Sequence, residues 1–231
     1  MQVTDPQLER HPVDGETRGV ALFCHGGTAS SLAPPKDRAL SLVRMRAFEM
    51  FVRGELGGRG VETALVRYRV AGWNGDAADA YQDVHWSIEQ LRAEHGRDVP
   101  IVLVGHSMGG RAALKAGGDP QVTAVCALAP WTPPGEPVMQ LREQTVAILH
   151  GSGDRWVPAK LSADFAVRAR RAGARVARFT TPGGHGMLRR ARRWHEFARD
   201  VVLAGTGLEP MRSDVANALR QPSPEGLAVP L

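Results

Sequence analysis

A serine flanked by glycines is the residue of this chain whose surroundings most clearly suggest chemistry. An apolar run from Ile101 to Gly105 leads directly into Gly105-His106-Ser107-Met108-Gly109. A strand that reverses sharply into a helix strains the backbone at the turn, and flanking side chains larger than hydrogen would clash there. The pattern therefore predicts that the Ser107 hydroxyl projects above a sheet as a nucleophile. The alternative is a glycine-rich turn whose serine only caps a helix.

A serine hydroxyl at neutral pH requires an adjacent base, and that base requires a group that orients it. His185 and Asp154 are the candidates, because each lies in a glycine-rich loop that follows an apolar, strand-like run. The carboxyl ends of parallel strands meet at one edge of a sheet, where ligands bind. We therefore expect Ser107, Asp154 and His185 to lie together at that edge.

Other side chains are alternatives for the acid and the base. Asp154 could be a turn residue paired with its neighbour Arg155. The competing acids are Asp119 and Asp164, and the competing histidines, which also lie at strand ends, are His25, His106 and His150. We prefer His185 because its loop comes last along the chain.

The elements that must position these residues follow an alternating pattern. Short apolar runs separated by longer stretches of helical periodicity are typical of a parallel sheet with crossover helices. The predicted strands are Val20 to Cys24, Thr63 to Tyr68, Ile101 to Gly105, Val122 to Leu128, Val146 to His150 and Arg175 to Phe179. Helical stripes are predicted at Leu40, Val43, Ala47, Met50 and Phe51, at Tyr81, Val84, Ile88 and Leu91, and at Met187, Ala191, Trp194, Ala198 and Val201. We expect one domain over residues 1–204 and a C-terminal tail over residues 205–231 with a short helix.

The chain order of serine, acid and histidine resembles that of the α/β-hydrolase family over about residues 17 to 204. The resemblance implies an α/β-hydrolase fold, a mostly parallel sheet of six to seven strands flanked by helices. It also implies that Ser107 is the nucleophile, that His185 is general base and then acid, and that Asp154 orients the imidazole. The implied oxyanion hole combines the amide of Met108 with that of Gly27 or Thr28.

The substrate site is predicted to be open. Only Ala129 to Thr145 separates the fourth predicted strand from the fifth, which leaves no room for a cap domain. Trp73, Trp131 and Trp156 follow strands and are candidates for an acyl pocket, although simple packing is the other interpretation. Arg67, Arg69, Arg111 and Arg155 lie near the same rim and could favour an anionic substrate group, or could be solvated surface residues.

Composition excludes several other classes of protein. The 231 residues carry a net charge of +5, and the mean hydropathy is −0.23. No apolar run is long enough for a membrane helix, and acidic residues occupy the start where a secretory signal would be apolar. Two cysteines, Cys24 and Cys126, are predicted to lie in the core of a reduced cytoplasmic protein. Two arginine clusters late in the chain accompany no recognised nucleic-acid motif, so we expect no nucleic-acid partner.

The predicted function is that of a serine hydrolase that cleaves a small or medium-sized carboxylic ester or thioester through an acyl-enzyme. It would need no cofactor and no metal, would not bind membranes, and would act as a monomer or a homodimer. Two alternatives remain open at this stage: an acyltransferase with the same three residues, and a binding protein that keeps the fold without catalysis.

Overall fold

Eight strands and six helices make up the computed structural model, which describes residues 5–221 and 225–231. The strands are β1 (Gln7–His11), β2 (Gly19–Cys24), β3 (Val61–Arg67), β4 (Ile101–His106), β5 (Val122–Leu128), β6 (Thr145–Gly151), β7 (Arg175–Thr181) and β8 (Val229–Pro230). The helices are α1 (Leu40–Leu56), α2 (Asp79–His95), α3 (Met108–Ala116), α4 (Ala159–Arg171), α5 (Ala191–Gly205) and α6 (Ser213–Arg220).

The strands form one sheet in the order β1-β3-β2-β4-β5-β6-β7-β8. Strand β1 is antiparallel to β3, and every other neighbouring pair is parallel. The chain therefore leaves β2 on one side towards β3 and returns on the other side with β4, which opens a crevice beyond their carboxyl ends. The six predicted strands are confirmed as β2 to β7. Strand β1, before the first predicted strand, forms one edge of the sheet.

The expected fold class is confirmed, but the sheet has eight strands where six or seven were expected. The extra strand, β8, has two residues and pairs with β7 through Phe179 and Thr180. Sequence patterns miss so short a strand because it has no periodicity of its own, and its pairing depends on a distant partner. Its residues belong to the segment expected to be a tail.

Helices cover both faces of the sheet, which explains why the central strands are apolar throughout. Every residue of β2 and β4 is buried. Within β4, Leu103 packs with the layer of α2, α3 and α4, whereas Val102 and Val104 pack with the layer of α1, α5 and α6. Cys24 and Cys126 are buried free thiols, as predicted.

Helix α1 lies where it was predicted, but of the predicted apolar stripe only Phe51 packs against the core. The residues of α1 that pack on the sheet are Leu42, Met45, Phe48, Val52 and Leu56. Leu40 is 83% exposed and Val43 is 48% exposed. The helix has apolar residues on two faces, and helical spacing alone cannot decide which face the sheet covers.

The C-terminal segment packs against the β7 edge. Val215 and Ala218 of α6 and Leu227 are buried. Arg178, a member of one arginine cluster, lies in β7, is 4% exposed and donates from Nη1 to the Leu227 carbonyl at 3.1 Å. Arg178 is therefore a buried residue of the sheet and not a solvated surface arginine. The domain boundary at residue 204 stays a prediction.

No cap domain is inserted between β5 and β6, where residues 129–144 form a loop with one 3₁₀ turn, Met139–Leu141. The carboxyl edge of the sheet is therefore left open on that side. Within residues 5–221 and 225–231, none of the helices combines the length and apolar character needed to cross a membrane.

Candidate active site

Ser107 occupies the sharp turn between β4 and α3. Its backbone has φ 56° and ψ −119°, in the left-handed half of conformational space where a residue with a side chain is strained. A Cβ on Gly105 would overlap the backbone of Gly109, and a Cβ on Gly109 would overlap the carbonyl groups of Cys24 and His25. Glycine is therefore required on both sides, and the Ser107 hydroxyl is left at the crevice, with the residue 8% exposed.

The three side chains expected to act together are in contact, although they lie far apart in the sequence. Asp154 follows β6 and His185 follows β7, so both loops start from the edge where β4 ends. Ser107 Oγ is 2.9 Å from His185 Nε2. His185 Nδ1 is 2.7 Å from Asp154 Oδ2. With the Nδ1 proton donated to the carboxylate, Nε2 is free to accept the serine proton.

Asp154 is held by backbone and side-chain donors together. Its Oδ1 accepts from the amides of Trp156 and Val157, both at 2.9 Å. Its side chain is completely buried, and His150 Nε2 lies 3.3 Å from Oδ2. Burial alone would raise the pKa of Asp154, but the hydrogen bonds from His150, His185 and the Val157 amide outweigh it and hold that pKa below its usual range. The carboxylate is therefore ionised near neutral pH.

A buried polar chain continues behind the acid. His150 Nε2 donates to the Val157 carbonyl at 3.0 Å, and His150 Nδ1 lies 2.8 Å from Ser162 Oγ. Arg178 Nε in turn donates to Ser162 Oγ at 3.0 Å. His150, weighed as a competing base, thus lies on the far side of Asp154 rather than beside Ser107.

The other competing residues are used elsewhere. His106 donates from Nε2 to the His185 carbonyl at 3.0 Å, which ties the nucleophile turn to the histidine loop. Its pKa falls to about 3, mainly because of burial. His25 Nδ1 donates to the Gly26 carbonyl at 2.7 Å. Asp119 pairs with Arg92, and Asp164 pairs with Lys160.

The amides expected to form the oxyanion hole differ in whether the fold already uses them. The amides of Gly27 and Met108 have no hydrogen-bond partner among the described residues. A Cβ on Gly27 would overlap the Ala71 carbonyl and the Met108 side chain, so only glycine fits there. The amide of Thr28 donates to the Ala71 carbonyl at 2.9 Å. Thr28 is therefore not available for the role expected of it, because the loop uses its amide to bind the neighbouring β3–α2 connection.

A cavity of about 810 Å³ opens over Ser107 and His185. Trp131 and Trp156 line it, and the Trp156 ring centre lies 5.8 Å from that of His185. Trp73 does not line this cavity. It is buried against Arg111, whose guanidinium carbon lies 3.8 Å from the Trp73 ring centre and 4.7 Å from that of Trp131.

Apolar side chains that were not predicted as site residues form much of the cavity wall. Leu40, Val43 and Ala47 on α1 line it together with Leu188 from the histidine loop. Leu40 and Leu188 are 83% and 78% exposed. The signal was present in the sequence as a second apolar face of α1, but only tertiary contacts show that this face borders Ser107.

Three side chains outside the cavity could in principle hold a metal ion. His85, Glu89 and Asp119 bring one ligand atom each within 4.8 Å of one another. Arg92 donates to both acids of this group and offsets one of their two negative charges. The group is therefore explained by an ion-pair network on the surface.

Residues 21–229 match a family model described as the alpha/beta hydrolase family. No curated protein sequence gives a significant match. Among solved structures, esterase 2 from Thermogutta terrifontis, phosphoramylated by tabun, shares 19% identity at a TM-score of 0.65, covering 90% of this chain and 92% of that one. Est1E from Butyrivibrio proteoclasticus with bound ferulic acid shares 16% identity at a TM-score of 0.65, covering 87% and 96%.

A third similar structure is that of a serine hydrolase without a lid from Xanthomonas campestris. It shares 14% identity at a TM-score of 0.57, covering 88% of each chain. At these identities the similarity concerns the fold.

Proposed function

The chain belongs to the α/β-hydrolase family, and from that premise we propose that it is a serine hydrolase that cleaves carboxylic esters or thioesters through an acyl-enzyme. The observation that carries the proposal is the continuous hydrogen-bond chain from Ser107 through His185 to Asp154. Such a chain is how a serine hydroxyl becomes nucleophilic at neutral pH.

In the proposed acylation step, Ser107 Oγ attacks the substrate carbonyl carbon while its proton moves to His185 Nε2. The negative charge that develops on the carbonyl oxygen accepts hydrogen bonds from the Gly27 and Met108 amides. Asp154 stabilises the imidazolium through Nδ1. The intermediate collapses when His185 gives its proton to the leaving alcohol or thiol, and the acyl group stays on Ser107.

In the proposed deacylation step, water takes the place of the leaving group. His185 removes a proton from that water, and the resulting hydroxide attacks the acyl-serine carbonyl. The same two amides stabilise the second oxyanion. Return of the proton to Ser107 Oγ releases the carboxylic acid and restores the resting site. All of these groups belong to one chain, so the reaction needs no second copy.

The cavity favours small or medium-sized substrates. Its wall is mostly apolar and includes Val43, Trp131 and Leu188. The loop of residues 129–144 leaves the cavity without a cap. An apolar acyl chain can bury surface there at about 25 cal/mol per Å². The solved esterases with this fold are consistent with an ester substrate.

Labelling with a fluorophosphonate tests the nucleophile. We expect the intact protein to be labelled and to hydrolyse short p-nitrophenyl esters, and we expect Ser107→Ala to lose both properties because no other group supplies the alkoxide. The matched control is Ser213→Ala, at the exposed start of α6, which should keep both.

Labelling of Ser107→Ala at the level of the intact protein would show that the proposal is wrong. Hydrolysis confined to long acyl chains would contradict the open cavity. Product formation that depends on an added alcohol or thiol would instead identify an acyltransferase.

A further inference from the structure

The cavity over Ser107 is lined by positive but not by negative side chains. Of the described residues that line it, Arg44 and Arg155 are cationic, and none is an aspartate or a glutamate. The nearby carboxylate of Asp154 is completely buried and already binds His185. A substrate in this cavity therefore meets a net positive field in a mostly apolar surrounding, where charge is weakly screened.

Arg44 lies on the cavity face of α1, between Val43 and the next turn at Ala47. Its Nη2 donates to the Met187 carbonyl at 2.5 Å, whereas its Nε is buried without a partner. No carboxylate of the described residues lies within 4 Å of its guanidinium. Burial lowers the pKa of Arg44, and the guanidinium carbon lies 5.0 Å from the Phe48 ring centre rather than beside an acid.

Arg44 lines the same cavity as Ser107 and His106, the residue before the nucleophile. Burial is the main reason that the pKa of His106 falls to about 3, and the charge of Arg44 lowers it further.

Arg155 supplies a second cation from the loop that carries Asp154. It is exposed, it lines the cavity, and it forms no ion pair with any described residue. Its backbone is fixed on both sides, because Asp154 binds His185 and also accepts from the Trp156 amide.

The other arginines that the sequence singled out near this edge are paired with acids. Arg111 pairs with Glu136, and Arg69 pairs with Asp83. Arg67 pairs with Asp37 at 2.7 Å. These residues were sequence candidates for anion binding, and their carboxylate partners remove them from that role. Arg44, which the sequence did not single out, and Arg155 are the two arginines that line the cavity and form no ion pair with a described acid.

We propose that the natural substrate is an ester or thioester with an additional anionic group, and that Arg44 and Arg155 bind this group inside the cavity. The inference rests on the proposed function of Ser107 and concerns the class of substrate that reaches it. A carboxylate or phosphate on the substrate would complete the missing ion pair of Arg44 in a weakly screened site. A neutral substrate of the same length would leave that guanidinium without an acidic partner.

Matched pairs of esters test the proposal. The p-nitrophenyl monoesters of glutaric and adipic acids carry a terminal carboxylate, and p-nitrophenyl pentanoate and hexanoate are neutral counterparts of similar length. We expect kcat/KM of the intact protein to be at least about tenfold higher for the anionic member of a pair. Because the preference is electrostatic, it should shrink as the salt concentration rises.

Substitution of the two cavity arginines tests whether they cause the preference for anionic esters. Arg44→Gln is expected to lower the ratio of kcat/KM for anionic to neutral ester by about tenfold, and exposed Arg155→Gln by about threefold, because solvent screens the second residue more. Arg44→Lys keeps the charge and should keep most of the ratio. The control is Arg97→Gln, an exposed arginine before the amino end of β4, at the opposite edge of the sheet. It removes the same charge and should leave the ratio unchanged.

Binding measured without turnover separates this inference from the proposed function. Ser107→Ala is titrated calorimetrically with monomethyl adipate and with methyl hexanoate, and we expect tighter binding of the anionic ester.

If both members of each pair are cleaved equally and bind equally, the charge inference is wrong and the hydrolase proposal stands. If no ester is cleaved but the anionic one binds through Arg44, the charge inference stands and the hydrolase proposal is wrong. A ratio that Arg97→Gln lowers as much as Arg44→Gln does would also overturn the assignment.

Discussion

At the scale of single residues, the most distinctive feature is a carboxylate that two histidines share. Asp154 Oδ2 lies 2.7 Å from His185 and 3.3 Å from His150. His185 must move a proton in the proposed reaction, whereas His150 is fully buried and anchored by the Val157 carbonyl and Ser162. His150 is therefore a positioning residue, because it acts on the reacting atoms only through Asp154.

Replacement of His150 by phenylalanine tests this role. A hydrogen bond to a charged group contributes about 1.5–3 kcal/mol, so we expect kcat to fall by about tenfold with a smaller change in KM. Steady-state kinetics over a range of substrate concentrations, with circular dichroism to verify folding, measure kcat and KM separately.

Ser162→Ala serves as the milder companion of His150→Phe. It leaves the contact of His150 with Asp154 in place and removes the partner that Ser162 Oγ provides to His150 Nδ1 and to Arg178 Nε, so kcat should change by a few-fold at most. A folded His150→Phe protein with unaltered kcat and KM would show that His150 fills space and does not position the acid.

At the scale of elements, two turns that are distant in sequence are built against each other. The nucleophile turn between β4 and α3 requires Gly105 and Gly109, and the loop after β2 requires Gly27, because a side chain at any of them would overlap neighbouring backbone. A Cβ on Gly27 would meet the Met108 side chain, and the Gly27 and Met108 amides have no partner among the described residues. Preorganised amides of this kind stabilise an oxyanion without reorganisation during the reaction.

Gly27→Ala should therefore lower catalysis more than stability. The added methyl group must displace the loop from the Ala71 carbonyl and from Met108, which moves the Gly27 amide. Loss of one oxyanion donor is expected to reduce kcat by about 100-fold or more. Steady-state kinetics and urea unfolding of the same preparation measure the two effects.

Gly54→Ala is the matched control for this substitution. Gly54 is an exposed residue inside α1, and a Cβ there meets no atom within 4 Å. The free energy of unfolding should rise by about 0.5–1 kcal/mol because alanine favours a helix, and kcat should stay the same. Equal losses of kcat in both variants would contradict the oxyanion assignment of Gly27.

At the scale of the whole molecule, buried neutral histidines make the fold sensitive to acid. Burial lowers the pKa of His25 to about 4 and that of His106 to about 3. The unfolded chain binds protons on both near an ordinary pKa of about 6.5, whereas the folded chain does not. Stability is therefore fully present above about pH 6.5 and is lost as the pH falls towards the folded values.

Between pH 7 and pH 5 we expect the free energy of unfolding to fall by about 2 kcal/mol for each of these two histidines. Asp154, whose pKa is lowered in the fold, adds no loss in this window because it stays ionised in both states. Urea denaturation at successive pH values measures the slope, and His25→Gln should remove the contribution of that residue, about 2 kcal/mol between pH 7 and pH 5. A slope near zero would show that the two imidazoles are not buried in their neutral form.

The local signals of the sequence were sufficient for most of the fold and for the members of the candidate site. The strands β2 to β7, the glycine-flanked turn at Ser107 and the loops of Asp154 and His185 follow from residues close together in the chain. This is because strand, helix and turn preferences depend on neighbouring residues, and the parallel order of strands brings their carboxyl ends to one edge.

Tertiary structure decided what depends on contacts between distant segments. It selected the buried face of α1, assigned the Thr28 amide to Ala71, placed Trp73 against Arg111 and paired Arg69 with Asp83. It also left Arg44 at the cavity without an acid and brought Arg178 inside the sheet. None of these outcomes has a local signature, because an amide, a charge or an apolar face is free or occupied only according to what another part of the chain brings to it.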